Sequence, residues 1–237
     1  MPVEKFETIQ KGGEKIKIIK FLKKNASHLL IIHYSSSDIR NAPVKICCIS
    51  IQDYNLKQTI TFSLREFSSE TEMLKGFLNF VKQNQDKFYL GWNLKDSTYG
   101  IPVIQNRINQ LIGNEKISIN NSDMYDLDTI LEKKFGFNYV SHPKLYNLAK
   151  RNNLTLINFV DGSEECKLFE NSEYRKIEQS TNRKVRTISN LLTLLFANNL
   201  KVENQSISSK FRDLISSPYI PIIGIFLTIF SIMISTR

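Results

Sequence analysis

Few residues of this chain have the type and spacing that chemistry requires. His33 stands at the end of a predicted strand, where an imidazole can act as a general base, although a half-buried, hydrogen-bonded histidine is commoner there. Asp96 follows Asn93 after a later strand, and its carboxylate can either ligate a metal ion or cap a helix. The three histidines have no metal-ligand spacing with the cysteines, which argues against zinc. The sequence also lacks a glycine-rich phosphate loop and a Gly-x-Ser-x-Gly motif.

Basic residues are concentrated on the longest predicted helix, and the formal net charge of the whole chain is +9. Such a charge favours anionic partners, either nucleic acid or lipid headgroups. A basic helix face can follow a phosphate backbone, whereas the simpler explanation is a solvated face or attraction to anionic lipids. The candidate nucleic-acid contacts are Arg175, Lys176, Arg183, Lys184 and Arg186.

The elements that would position these residues begin with three strands. Runs rich in β-branched and aromatic residues at 28–35, 44–51 and 58–64 are separated by short polar breaks, which predicts an antiparallel meander. A capping box at Ser69 predicts the start of a helix, and residues 88–93 form a fourth strand. The resulting fold class is α/β, with a mixed sheet and helices on its faces.

Helices dominate the second half of the chain. They are predicted over 101–111, 126–135, 142–150 and 172–199, with Pro102 in the first turn of the first. The last helix carries an apolar seam that we expect to pack on the domain, with a coiled-coil stem of a homodimer as the alternative. The seam consists of Ile177, Thr181, Val185, Ile188, Leu192 and Leu195.

This order of elements over roughly residues 28–198 resembles that of the DEDD-type 3′–5′ exonucleases of the ribonuclease H-like superfamily. The resemblance implies an Asp-x-Glu at the end of the first strand and an Asn-x-x-Phe/Tyr-Asp after the fourth. It also implies a Tyr- or His-x-x-x-Asp on the last helix. In that family the four carboxylates hold two divalent metal ions that activate water and stabilise the leaving oxygen of a phosphodiester.

The chain departs from the family at these motifs. His33-Tyr34-Ser35 replaces Asp-x-Glu, and Gly100 stands where the second motif has its aspartate. On the last helix Glu178 keeps the spacing from Tyr174, while other registers place Arg183 or Lys184 there. Because Mg²⁺ requires hard oxygen ligands, we expect no resident metal and no catalysis. The segment from Gly91 to Gly100 also resembles a signature of bacterial proteins that implies no activity.

Three functions follow from these departures. The leading hypothesis is a membrane-anchored, catalytically inactive exonuclease-like domain that binds nucleic acid or a nucleic-acid-associated protein. The second is an active nuclease, dependent on Mg²⁺ or Mn²⁺, with a site rebuilt from Asp38, Asp96 and Glu178 and with His33 as base. The third is a membrane adaptor or scaffold without nucleic-acid function.

The apolar segment at 218–236 is interpreted as a transmembrane tail anchor that contacts the lipid bilayer. It carries no charge, and the apolar run of about 16–18 residues within it covers about 24–27 Å as a helix, a little under the roughly 30 Å of a hydrocarbon core. A buried C-terminal helix is the alternative. Basic residues before the segment, three unpatterned cysteines and an N-terminus without a signal-peptide core all favour a soluble domain facing the cytoplasm.

Four regions are therefore expected along the chain. Residues 1–27 form a basic lead-in, in which we favour a packed first element over a helix lying on the membrane surface. Residues 28–199 form the ribonuclease H-like domain, 200–217 a polar linker and 218–236 the anchor.

Overall fold

A computed structural model describes residues 14–204 of the chain. Within these residues one mixed sheet has the strand order β3-β2-β1-β4-β5. The central strand β1 is antiparallel to β2, β2 is antiparallel to β3, and β4 runs parallel to both β1 and β5. The strands are β1 Leu29–Ser36, β2 Ile46–Asp53, β3 Thr59–Ser63, β4 Phe88–Gly91 and β5 Met124–Asp126.

Seven α-helices lie among the described residues. They are α1 Glu14–Lys24, α2 Glu70–Gln83, α3 Ile101–Leu111, α4 Leu127–Phe135, α5 Lys144–Arg151, α6 Gly162–Glu170 and α7 Tyr174–Phe196. The predicted α/β fold with a mixed sheet flanked by helices is confirmed. No helix within 14–204 is long and apolar enough to cross a bilayer, and the predicted anchor at 218–236 lies outside the described residues.

Capping residues fix the helix boundaries where the sequence predicted them. The Ser69 hydroxyl accepts a hydrogen bond from the Glu72 backbone N–H at 3.2 Å, which begins α2. The Asp126 carboxylate accepts one from the Thr129 N–H at 3.1 Å, which begins α4. Helix α4 ends at Phe135, and the next residue, Gly136, has a φ of 108°, which is accessible to glycine and unfavourable for other residues.

Helices cover both faces of the sheet. Side chains from α2 and α3 pack on one face with Leu30 and Ile32 of β1, and side chains from α4, α5 and α7 pack on the other with Leu29 and Ile31. The apolar seam of α7 is buried within this single chain, as expected for packing on the domain. Each fully buried aliphatic side chain of this kind stabilises the fold by about 1.5–3 kcal/mol relative to an exposed one.

Helix α1 packs on the same face as α7. Leu22 is buried, and the ring of Phe21 lies edge-to-face on that of Phe88 with centroids 5.2 Å apart. The Lys23 ammonium donates to the Phe196 carbonyl at the end of α7, at 3.0 Å. The structure therefore has a packed helix over 14–24, in agreement with the interpretation favoured for the lead-in.

Two elements were not predicted. Strand β5 is three residues long and exists through its parallel pairing with β4. Helix α6 begins at the Asp161 carboxylate, which accepts from the Glu164 N–H at 2.9 Å. This helix brings Glu165 to the end of β1 and so completes the candidate site.

The first residues of the predicted linker are bound to the domain. The Glu203 N–H donates to the Tyr139 carbonyl at 2.8 Å, and the Lys201 N–H donates to the Asn152 side chain at 2.9 Å. The rest of the predicted linker, from 205 to 217, lies outside the described residues.

Candidate functional site

The site lies at the carboxyl ends of β1 and β4, which are parallel neighbours. From here the chain continues to β2 on one side of the sheet and to β5 on the other. Open α/β sheets place their ligands at such a point, because the connecting loops diverge and leave a crevice. The residues concerned are His33 to Ser36 at the end of β1 and Trp92 to Gly100 after β4.

Ser35 connects β1 to the helices above the sheet. Its hydroxyl donates to the Oε2 atom of Glu165 at 3.0 Å and lies 2.8 Å from the hydroxyl of Thr181. The Thr181 hydroxyl in turn donates to the Ile177 carbonyl of α7 at 2.8 Å. Ser35 and Thr181 are both fully buried, so their hydroxyls have protein groups as hydrogen-bond partners instead of bulk water.

Glu165 is the carboxylate at the centre of this network, and it is paired with a lysine. The Lys184 ammonium lies 2.8 Å from the Oε1 atom of Glu165, which also accepts from the Ser180 hydroxyl at 2.6 Å. Glu165 is 4% exposed and Lys184 6%. Both carboxylate oxygens therefore have protein donors, as a buried charge requires.

His33 points to the same side of the sheet and is 7% exposed. Burial, and to a smaller extent the nearby Lys184 charge, hold the pKa of His33 well below its usual 6.5. The Nε2 atom lies 3.4 Å from the hydroxyl of Tyr99, which donates to the Tyr34 carbonyl at 2.8 Å. His33 is therefore neutral at pH 7 and lies beneath a tyrosine rather than beside an open crevice.

Gly100 occupies the backbone position where the resemblance places an aspartate. A Cβ atom added here would lie 2.5 Å from the Leu94 carbonyl oxygen, 2.6 Å from that of Asp96 and 2.9 Å from that of Asn93. Real Cβ atoms essentially never approach a heavy atom this closely. The loop after β4 therefore closes on Gly100 and has no space for any side chain.

The carboxylates predicted for a relocated site each have local partners. Asp38 is ion-paired with Arg40 at 2.7 Å, and hydrogen bonding to Arg40 lowers the pKa of Asp38 to about 2. The Oδ1 atom of Asp96 accepts from the hydroxyl and the N–H of Thr98, both at 2.6 Å, and the hydroxyl bond is the main cause of its lowered pKa. Glu178 lies 3.5 Å from Arg65.

These three carboxylates do not form a metal site. Within residues 14–204, no group of three His, Cys, Asp or Glu side chains is placed to hold a metal ion. Asp38 follows β1 and Asp96 lies in the loop after β4. Glu178 is paired with Arg65, two residues after the end of β3.

The five predicted basic residues separate into two groups on α7. At 100° per residue, Arg175, Arg186, Arg183 and Lys176 lie within an arc of about 100°, and Lys184 lies about 80° beyond its edge. Arg175, Lys176 and Arg186 are exposed and Arg183 is half-buried, with its Nε donating to the Ile157 carbonyl at 2.9 Å. Lys176 is also ion-paired with Glu173. Lys184 faces the interior.

Glu165 and its pairing with Lys184 were not predicted from the sequence. The pattern Asp161-x-x-Glu164, an acidic cap followed by Glu at the third helical position, was the available signal for a helix start. It would have predicted α6 without showing which of its acidic residues turns inward, because that depends on where α6 docks.

Comparison with known proteins agrees with this fold. The model of the DNA polymerase family B exonuclease domain matches residues 8–174, more than half of the chain, and ends at the first residue of α7. No curated protein is similar enough to match.

Two solved structures are also similar. The family B DNA polymerase from the hyperthermophilic archaeon Pyrobaculum calidifontis has 15% identity and a TM-score of 0.47, covering 70% of this chain and 24% of the polymerase. The chain thus spans about a quarter of that polymerase's length. The EXO domain of Aedes aegypti Nibbler has 12% identity and a TM-score of 0.35, covering 83% of this chain and 100% of that domain.

The family match over residues 8–174 confirms the predicted resemblance to ribonuclease H-like DEDD exonucleases at the level of family and fold, while the bacterial source and the membrane tail stay predictions. By its family match, the chain belongs to the exonuclease domains of DNA polymerase family B.

Proposed function

We propose that this exonuclease-like domain is catalytically silent and acts by binding nucleic acid at a membrane. The observation that supports silence is the chemistry at the ends of β1 and β4. The motif positions there hold His33, Ser35 and Gly100, and the nearby buried carboxylate of Glu165 is neutralised by Lys184. Hydrolysis of a phosphodiester by this fold needs metal-bound water, and these residues offer no ligand set for it.

Exonuclease domains of this family normally use divalent metal ions. The groups available here as metal ligands are one carboxylate, the hydroxyls of Ser35, Thr181 and Ser180 and a neutral imidazole, and the adjacent lysine ammonium would repel a metal ion. Mg²⁺ prefers several carboxylate or water oxygens in octahedral geometry, and Mn²⁺ prefers similar hard ligands. The residues present do not fit the metals. Mg²⁺ or Mn²⁺ would be required only if the relocated carboxylates were active.

The exposed arc of α7 is the surface that we propose for nucleic acid. Arg175, Arg183 and Arg186 lie on one side of the helix, and no ion pair with a carboxylate is found for them among the described residues. Guanidinium groups bind phosphate oxygens through two parallel hydrogen bonds and keep their charge at any physiological pH. A backbone contact of this kind is independent of sequence and sensitive to salt.

The binding test compares two triple variants that carry the same net charge. R175A/R183A/R186A removes three charges from α7, and K75A/K82A/K116A removes three from α2 and the loop after α3, on the opposite face of the sheet. Fluorescence anisotropy with labelled single-stranded DNA and RNA in EDTA measures affinity over a range of salt concentrations. We expect the α7 variant to bind at least tenfold more weakly. The slope of log K against log salt concentration should decrease in magnitude by roughly 2, since each phosphate that the protein neutralises on a single strand adds about 0.7 to it.

The control variant should bind within about twofold of the wild-type chain, since its charges lie away from the proposed surface. Equal losses of affinity in both variants would mean attraction by net charge alone and would contradict an interface on α7. Absence of measurable binding by the wild-type chain would favour the membrane-adaptor hypothesis, with a protein as partner.

The membrane part of the proposal rests on the sequence of 218–236, which is uncharged and long enough to span a bilayer. Anchoring there would hold the domain in the cytoplasm at the membrane surface. A homodimer stays a prediction, and the α7 seam that would form its coiled-coil stem is buried within the single chain.

A further inference from the structure

We propose that Lys184 is a tethered cation that replaces the divalent metals at the end of β1, converting the former catalytic centre into a metal-independent lock that holds α6 on the sheet. This inference deepens the proposed catalytic silence and rests on it. It concerns what the altered site does in place of catalysis.

The lock joins three elements through one carboxylate. Glu165 comes from α6, the Ser35 hydroxyl that binds its Oε2 atom comes from β1, and Lys184 comes from the middle of α7. Ser180, one helical turn before Lys184, donates to the same Oε1 atom as the ammonium. A carboxylate and a cation thus meet beside the end of β1, where active members of the family use carboxylates and metal ions.

Burial makes the two charges depend on each other. Glu165 and Lys184 are 4% and 6% exposed, so removing either leaves the other charge desolvated and unpaired. The Lys184 ammonium also lies 5.5 Å from the centroid of the Phe159 ring, which adds a favourable cation–π contact.

The other titratable side chains that act on the pair are His33, Tyr99, three cysteines and Asp161 at the start of α6. Burial lowers the pKa of His33 and raises the pKa of Tyr99 and of Cys47, Cys48 and Cys166, so these groups are uncharged at pH 7. Asp161 is a carboxylate that interacts with Lys184, but it is exposed and its charge is held by the Glu164 N–H and the Ser163 hydroxyl, which are the main causes of its lowered pKa.

Helix α6 depends on this pair because it has little else to bury. Of its nine residues, only Glu165 and Leu168 are buried. Leu168 contributes to a small cluster with Cys47, Cys48 and Ile177. The half-buried Phe169 also packs on this cluster and lies edge-to-face on Tyr174. With only two of its residues buried, α6 has few apolar contacts, so the bonds of the Glu165 carboxylate to Ser35 of β1 and to Lys184 of α7 are a substantial part of its attachment.

The experiment measures the thermal stability of the full chain in EDTA, MgCl₂ and MnCl₂, together with amide hydrogen exchange in residues 162–170. We expect the wild-type Tm to be the same in all three within about 1 °C. K184M should lower the Tm by about 10 °C and should increase exchange throughout α6, because it leaves Glu165 buried without its cation.

Two further variants keep the test informative. E165Q/K184M removes both charges, so its loss of Tm should be smaller than that of K184M alone. K57M is the matched lysine control: Lys57 also reaches α7, at the Ser189 hydroxyl, but it is exposed and has no buried carboxylate partner there. Its Tm should stay within about 2 °C of the wild type.

Stabilisation of the wild-type chain by Mn²⁺ or Mg²⁺, or destabilisation by EDTA, would overturn the proposal because a metal would then be part of the fold. So would a K184M variant with unchanged Tm and unchanged exchange in α6. If K184M fails to fold, the double variant decides, since a folded double variant supports the charge-pairing argument and an unfolded one contradicts it. These measurements do not involve cleavage, so their failure is distinguishable from the discovery of nuclease activity.

Discussion

The steric closure around Gly100 predicts that even a methyl group is not tolerated at this position. In Gly100→Ala, the new Cβ would meet three backbone carbonyl oxygens at 2.5–2.9 Å, so the loop from Asn93 to Asp96 has to move. Overpacking a well-packed site costs about 1–3 kcal/mol, and the upper end applies because the obstacles are backbone atoms rather than flexible side chains. We therefore expect a loss of about 3 kcal/mol in the free energy of unfolding.

Urea or thermal unfolding followed by circular dichroism measures this loss. For a domain of this size, about 3 kcal/mol corresponds to a fall in Tm of roughly 6–12 °C. Gly162→Ala is the matched control: no heavy atom lies within 4 Å of the added Cβ, and Gly162 is the first residue of α6. Its stability should stay within about 1 kcal/mol of the wild type.

Gly100→Asp, which restores the residue type of active family members, should be at least as destabilised as Gly100→Ala, because a carboxylate would be added beside three carbonyl oxygens. A Gly100→Ala variant as stable as the wild type would refute the steric reasoning. It would show that the loop yields at little cost and that an aspartate can be accommodated there.

Three further predictions concern titration, the relocated carboxylates and the membrane. Because burial lowers the pKa of His33 in the folded state, the unfolded chain protonates at a higher pH than the folded chain as the pH falls. The free energy of unfolding should therefore decrease below about pH 6.5, by up to about 1.4 kcal/mol per pH unit, until the pKa of the folded state is reached. Urea unfolding midpoints measured against pH should lack this decrease in H33N. An H33N variant with the wild-type slope would contradict this. D96A/E178A should bind nucleic acid within about twofold of the wild type in the anisotropy assay, because both side chains have local structural partners; a tenfold loss would assign them to the interface. I225R/F226R should release the full chain from the membrane fraction in a flotation assay, since two charges in an apolar span oppose insertion; unchanged flotation would exclude the anchor at 218–236.

Local signals were sufficient to predict most of the fold. Helix α3 was predicted with its observed bounds because Pro102 marks its first turn and apolar residues recur at helical spacing. The Ser69 and Asp126 caps act within one helical turn, so they are visible in sequence and present in the structure. The strands β1 and β2 were recognisable because isoleucine, leucine and cysteine are concentrated in them and short polar breaks separate them.

The missed elements depend on contacts between distant residues. Strand β5 has three residues and no pattern of its own, so its pairing with β4 determines its conformation. Helix α6 is attached by an ion pair between Glu165 and Lys184, which lie on different helices. The sequence placed Lys184 among basic surface residues, because a run of charge is usually solvated and only the docking of α6 reveals its buried partner.

Nuclease activity of the full chain tests the central claim most directly. The substrates are 5′-labelled single- and double-stranded DNA and RNA, incubated with Mg²⁺ or Mn²⁺ and with D96A/E178A as the comparison. Catalytic silence predicts that every substrate stays as intact as in the protein-free control, with either metal. Metal-dependent shortening from the 3′ end that disappears in D96A/E178A would contradict the account and would establish an active site rebuilt from relocated carboxylates.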